Sequence, residues 1–309
     1  MVINLKKCFI KYKRFIPLYG MMIPGIAYIW INNYVPLAGL RIAFQNFNYA
    51  KGISGSPYVG LKNFEFLFAT SDAFIITRNT ICYNTIFIII GTLVAIAVAI
   101  LLSEITAVYA KKFYQTAILV PFLISMVVVS YLVFAFLSAD TGFINKSILE
   151  PLGLPTVTWY STIKPWPIIL VIVNIWKGFG YNSIIYYATL MGIDQSYYEA
   201  AAIDGATRWQ RIKHITIPSL NPTIITLTLM AIGRVFYSDF GLFYQVPMNS
   251  GILIPVTNTI DTYVYRGLFT LNNISMAAAA GVYQSLVGFI LVLVANFIVK
   301  KINSENALF

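Results

Sequence analysis

Asp194, Glu199, Asp204, Arg208, Arg211, Lys213 and His214 bring three acids, three bases and the chain's single histidine into one short stretch. Their order is specific: Glu199-Ala200-Ala201-Ala202-Ile203-Asp204-Gly205, then nine residues, then Ile215-Thr216-Ile217-Pro218. Side chains of these types form ion pairs and hydrogen bonds with a partner in water, since each charge left in hydrocarbon costs roughly 2.5–3.5 kcal/mol. Two more charges, Lys177 and Arg234, interrupt apolar runs, and such residues mark a path for a polar solute by default. Blander readings stand beside that one: Lys177 as a snorkelling base or the partner of a carbonyl, and Arg234 as a boundary arginine paired with Asp239. Catalysis finds no support. No span carries paired acids, a Ser/His set or metal-ligand spacing, His214 suits a surface or capping role, and Cys8 and Cys82 support no redox function.

The elements that hold the polar stretch are legible in its caps. Ser196-x-x-Glu199 and Thr207-x-x-Gln210 each have the form of a capping box, and Gly205 between them suits the positive φ of a helix C-terminus. Segment 194–218 therefore reads as two short helices joined by a tight bend, with Pro218 in the first turn of the helix that follows. A plain loop with Glu199 as a mere capping residue is the local alternative.

Everything around that island is membrane-like. With 59% hydrophobic residues, 10% charged residues and a mean hydropathy of +0.76, the 309 residues do not describe a soluble domain. About 20 apolar residues cross a hydrocarbon core about 30 Å thick, and charge-poor windows predict six spans, at about 15–38, 79–103, 113–138, 165–191, 218–238 and 275–299. The fourth is interrupted by Lys177 beside Gly178 and Gly180. The fold class is thus an all-α polytopic membrane protein, with a segment 1–14 before the spans and a tail 300–309 after them.

Orientation follows from the bases. Twelve Lys and Arg fall on the side of the termini and the island, in short segments beside span ends: Lys6, Lys7, Lys11, Lys13, Arg14, Lys111, Lys112, Arg208, Arg211, Lys213, Lys300 and Lys301. Seven fall on the other side, in longer loops. The positive-inside rule places both termini and the island in the cytoplasm of a multi-pass cell-membrane protein. The net charge of +10 is then a topology signal and not a nucleic-acid footprint.

Glu-Ala-Ala, three residues, Gly, nine residues, Ile-x-Leu-Pro is the signature of the membrane subunits of ATP-driven importers that work with a binding protein. The island resembles it at every position except Ile217, where Leu is usual. Tyr34-Val35-Pro36, Ile42-Ala43-Phe44, Tyr58-Val59-Gly60-Leu61-Lys62-Asn63-Phe64, Ile175-Trp176-Lys177-Gly178-Phe179-Gly180-Tyr181-Asn182 and Asp204-Gly205-Ala206-Thr207-Arg208-Trp209-Gln210-Arg211 are similar to the LplB branch of carbohydrate permeases. The resemblance implies the maltose-type (type I) ABC importer permease fold, in which the island is a coupling helix docked on a cytoplasmic ATPase dimer. It implies coupling roles for Glu199, Ala200, Ala201, Asp204, Gly205, Ile215 and Pro218, with Glu199 paired to an arginine of the ATPase. It also implies a second homologous permease, an extracytoplasmic solute-binding (lipo)protein and a carbohydrate cargo. No Gly-x-x-x-x-Gly-Lys-Ser/Thr run is present, so ATP and Mg belong to the partner ATPase and this chain needs no cofactor.

Maltose-type relatives line their sugar cavity with the helices before and after the island. Counting from Glu199 carries that lining onto Asn174, Gly178 and Tyr181, and onto Ala231, Arg234 and Ser238; Asn174, Arg234 and Ser238 depart from the usual residue types. Tyr181, Tyr186, Tyr187 and Tyr237 offer ring faces to sugars and are equally ordinary core packing. A guanidinium binds a carboxylate through two hydrogen bonds, so Arg234 points to an acidic, uronate-containing oligosaccharide. A secondary transporter or channel for a polar solute is the rival class. It also accounts for Lys177 and Arg234 at a broken helix, but not for the doubly capped island.

Overall fold

The computed structural model describes residues 15–302; segment 1–14 with Cys8, and the tail beyond 302, lie outside the described residues. Among the described residues the sole sheet-like pairing is an isolated antiparallel bridge between Gln45 and Tyr58. In hydrocarbon every backbone group needs an internal partner, and helices meet that condition segment by segment.

Helix α1 (Ile16–Ile29) continues as a π turn (Trp30–Tyr34) and a 3-10 stretch (Val35–Phe44). Its side chains are largely exposed, Met21 at 78% and Tyr28 at 68%, so it packs little against the other described helices. A short α2 (Lys62–Ala69) leads into α3 (Asp72–Ser103), which is followed by α4 (Val108–Leu123) and α5 (Met126–Leu137). Then come α6 (Trp166–Met191), the two island helices α7 (Gln195–Ile203) and α8 (Arg208–Arg211), α9 (Ile217–Ile232), α10 (Ile260–Phe269) and α11 (Ile274–Ile302).

Four of these runs are long and apolar enough to span a bilayer: Asp72–Ser103, Trp166–Met191, Arg208–Ile232 and Ile274–Lys301. The expected span 113–138 is not one straight helix. It breaks between α4 and α5 with a bend of 93°, where Ile124 and Ser125 are extended and the Ser125 hydroxyl caps α5 by accepting from the Val128 N–H. Pro121 and Ser125 are the local causes, hidden because the residues around them are apolar. Conversely α6 runs unbroken past Lys177, Gly178 and Gly180, where an interruption is expected from sequence. The expected span 218–238 stops at Ile232, and Arg234 and Ser238 lie on irregular chain beyond it. The expected span 15–38 holds only 14 residues of α-helix before its geometry changes.

Packing centres on α3 against α6. Ala95 and Ala99, fully buried one turn apart, let α6 approach closely at Tyr186 and Leu190. A second cluster joins Tyr83, Val129, Trp166, Leu170 and Phe243, and a third joins α2, α3, α10 and α11 through Leu67, Ile76, Ile260 and Met276.

Candidate functional site

The island folds as an elbow with a stated reason for each joint. Asp194, not Ser196, is the N-cap of α7: its Oδ1 accepts the Ser196 N–H at 2.9 Å, and those hydrogen bonds to Ser196 hold the Asp194 carboxyl below the usual carboxylate range. A cap two residues earlier was available and its carboxylate is the better acceptor, so Glu199 is left out of any box. At the bend Gly205 has φ +77°, a conformation that side chains with a Cβ rarely adopt, and the Ala206 N–H donates to Ala201 O at 2.9 Å. Thr207 and Gln210 form the expected capping box at the start of α8. The second helix is not separate from the next span: α8 passes through a π turn (Ile212–Thr216) straight into α9, with Pro218 in the first turn of α9. Tyr198 Oη and Thr216 Oγ1, 3.0 Å apart, close the angle, and Arg208 Nε reaches Glu104 Oε2 at the end of α3 at 3.2 Å.

Glu199 projects from the exposed side of α7 with no partner among the described residues, and Ala200 is exposed next to it. Ala201, Asp204, Gly205 and Ile215 line a hollow of about 400 Å³ inside the elbow, with Arg211 and His214. Trp209 and Ile203 stand 69% and 86% exposed. Exposed apolar and charged groups on a rigid, capped frame are what a docking surface needs.

A second hollow, of about 490 Å³, opens between α3, α6 and α9. Asn84, Phe87, Ile88, Gly91 and Thr92 come from α3; Asn174, Asn182 and Tyr186 from α6; Leu227 and Ala231 from α9; Arg234 and Tyr237 from the irregular segment beyond it. That segment is held by three side chains from three helices. Asn84 Nδ2 donates to the carbonyls of Val235 (2.7 Å) and Tyr237 (3.1 Å). Gln284 Nε2 donates to Phe236 O at 2.6 Å. Asp261 Oδ2 accepts both the Ser238 N–H and its hydroxyl at 2.7 Å.

Of the sequence candidates for a solute path, Asn174, Ala231 and Arg234 meet in this cavity, together with Tyr186 and Tyr237, whereas Lys177, Gly178, Tyr181, Tyr187 and Ser238 do not line it. Ser238 is committed to Asp261. Lys177 Nζ sits 3.4, 3.1 and 2.5 Å from the carbonyls of Pro121, Phe122 and Ile124, and Tyr181 stacks on Phe122 at 4.7 Å. Gly178 brings no side chain to the cavity. Arg234 makes no ion pair with Asp239, whose Oδ1 accepts the Leu242 N–H instead, at 3.2 Å. Asn84, Thr92 and Asn182 are lining residues the sequence reading passed over. Asn84, Gly91 and Thr92, at i, i+7 and i+8 on one face of an apolar helix, are the signal that could have found them.

The family model for the binding-protein-dependent transport system inner membrane component matches residues 88–304. The chain belongs to that family. Protein LplB of Bacillus subtilis (strain 168) is 35% identical to this permease over 289 residues, 94% of this chain and 90% of the relative. The polygalacturonan/rhamnogalacturonan transport system permease protein YteP of the same organism is 35% identical over 294 residues, 94% and 89% of the two chains. Among solved structures, a chain of a bacterial ABC transporter involved in the import of the acidic polysaccharide alginate superposes with a TM-score of 0.87 at 31% identity, covering 96% of this chain and 99% of its own. A chain of a bacterial alginate ABC transporter in complex with alginate pentasaccharide-bound periplasmic protein gives 0.85 at 31% identity, with 94% and 96% covered. This permease is therefore a membrane-spanning transport component of an ABC importer and not an enzyme, as its resemblance implied.

Proposed function

We propose that this permease passes an acidic, uronate-containing oligosaccharide from an extracytoplasmic binding protein into the cytoplasm, through the cavity between α3, α6 and α9. The observation that carries the cargo is Arg234: an exposed guanidinium without an acidic partner among the described residues, in a cavity whose other polar lining residues are amides, a threonine and tyrosines. Amides and hydroxyls suit sugar hydroxyls, ring faces suit sugar faces, and the guanidinium suits a carboxylate. The likeness to permeases whose names or structures concern polygalacturonan and alginate supports the same reading.

Both termini and the elbow face the cytoplasm, where Glu199 pairs with an arginine of an ATPase that binds ATP and Mg. Closure of the ATPase dimer turns the elbow, and the unbroken course from α8 through α9 carries the turn to Ala231 and the cavity. A second, homologous permease completes the passage, and the external loops receive the binding protein.

Uptake by the reconstituted complex tests the cargo. Arg234→Ala is expected to lower uptake of a uronate oligosaccharide roughly 10- to 100-fold, the effect of a lost charge-assisted hydrogen bond, while a neutral oligosaccharide of equal length is little affected. Equal loss for both removes the charge argument.

A further inference from the structure

Lys177 fastens α6 to the break between α4 and α5, and the break in turn supports one wall of the cavity. At the break the Pro121 carbonyl accepts the Ile124 N–H at 3.3 Å, while the carbonyls of Phe122 and Ile124 stand at the end of the helical ladder and, inside an apolar bundle, need a donor from elsewhere. An ammonium carries three donors on a flexible stem, and Lys177 Nζ sits among these three oxygens. One turn further along α6, the Tyr181 ring lies on Phe122. The other side of the break meets the chain that follows Arg234. Met126 presses on Gly241 so closely that a Cβ on the glycine would lie 2.7 Å from Met126 Cβ and Cγ. Ile124 and Met126 also pack on the cluster that includes Leu242 and Phe243, and Leu242 is tied back to Asp239. Contact is thus continuous from Lys177, through the break, to the irregular segment that carries Arg234 and Tyr237.

We propose that Lys177 is a positioning residue for transport: by holding the α4–α5 break it sets where the Arg234 guanidinium and the Tyr237 ring stand in the cavity, without touching cargo itself. This rests on the cavity being the cargo path. Asn174, Asn182 and Tyr186 occupy the cavity face of α6, whereas Lys177 and Tyr181 occupy the neighbouring face against the break. A planar arginine fork at position 177 keeps the charge but does not place three donors on three converging oxygens; methionine supplies none.

The position of the wall is read without cargo from the rate at which a small water-soluble maleimide labels Tyr237→Cys in the assembled complex, with Cys8 and Cys82 replaced by serine. Lys177→Met is expected to change that rate several-fold and Lys177→Arg to change it less, in the same direction. With Tyr237 intact, the same two variants are expected to raise the half-saturating cargo concentration for uptake several-fold while maximal ATPase turnover is kept. Gly241→Ala disturbs the same contact from its far side with the lysine in place, and it too is expected to shift the labelling; it decides the matter if Lys177→Met does not assemble. Unchanged labelling in both Lys177→Arg and Gly241→Ala overturns the proposal. Labelling that shifts while uptake of every cargo stays at the wild-type level keeps the mechanical link and overturns the cavity as the cargo path instead.

Discussion

Glu199 and Lys177 show how two charged side chains take opposite roles once their surroundings are known. Glu199 is a carboxylate with no partner among the described residues, on a helix already capped by Asp194. Its charge is free for a partner, so in the assembled complex Glu199→Lys is expected to uncouple, with cargo-stimulated ATPase and uptake both falling at least several-fold; wild-type rates in both assays would contradict the coupling role. Lys177 is a charge among apolar helices, and it is spent on three backbone carbonyls. Asn84 is the residue-scale feature easiest to overlook. Its amide holds two carbonyls of the irregular segment, and a typical net value of about 1 kcal/mol per hydrogen bond predicts that Asn84→Ala lowers the thermal stability of the detergent-solubilised complex by about 2 kcal/mol and loosens the Arg234 wall.

At the scale of elements, two joints decide the geometry. One is the bend at Gly205. A side chain with a Cβ held at positive φ costs roughly 1–2 kcal/mol, so Gly205→Val is expected to destabilise the elbow by about that amount and to uncouple transport, whereas Gly205→Asn, which tolerates this conformation better, keeps more of both. Parallel thermal melts and ATPase assays of the two variants measure the difference. The other joint is the seat of α4 on α6. A Cβ on Gly180 would collide with the Ile118 carbonyl oxygen, which a helix backbone cannot concede without moving. Overpacking of this kind costs typically 1–3 kcal/mol; Gly180→Val is expected to reach or exceed that range and to reduce assembly, as size-exclusion chromatography would register.

Over the whole molecule, the exposed length of α1 and the open elbow are surfaces of a subunit and not of a self-sufficient carrier. Purified alone in proteoliposomes, this chain is expected to move no oligosaccharide; uptake should appear only with a second permease, the ATPase pair, ATP and a loaded binding protein. Uptake driven by a gradient through this chain alone would instead mark it as a secondary carrier or a channel.

Chain order and local chemistry determined a good deal by themselves. A hydrocarbon solvent permits few architectures, so charge-poor windows were enough for an all-helical membrane bundle, and the Glu199 to Pro218 spacing was enough for the family. Turn and cap chemistry act within a few residues, which is why Gly205 and the Thr207–Gln210 box were legible. Their neighbour was not: Ser196 and Asp194 both qualify as caps, and only the backbone geometry chose Asp194. The end of α9 before Arg234 and the pairing of Ser238 with Asp261 were decided by tertiary structure alone, and the break at Ile124–Ser125, though Pro121 and Ser125 are local causes, is held by Lys177 from α6. Each depends on a donor or acceptor brought from a distant helix, and an apolar sequence window carries no record of which distant group will arrive.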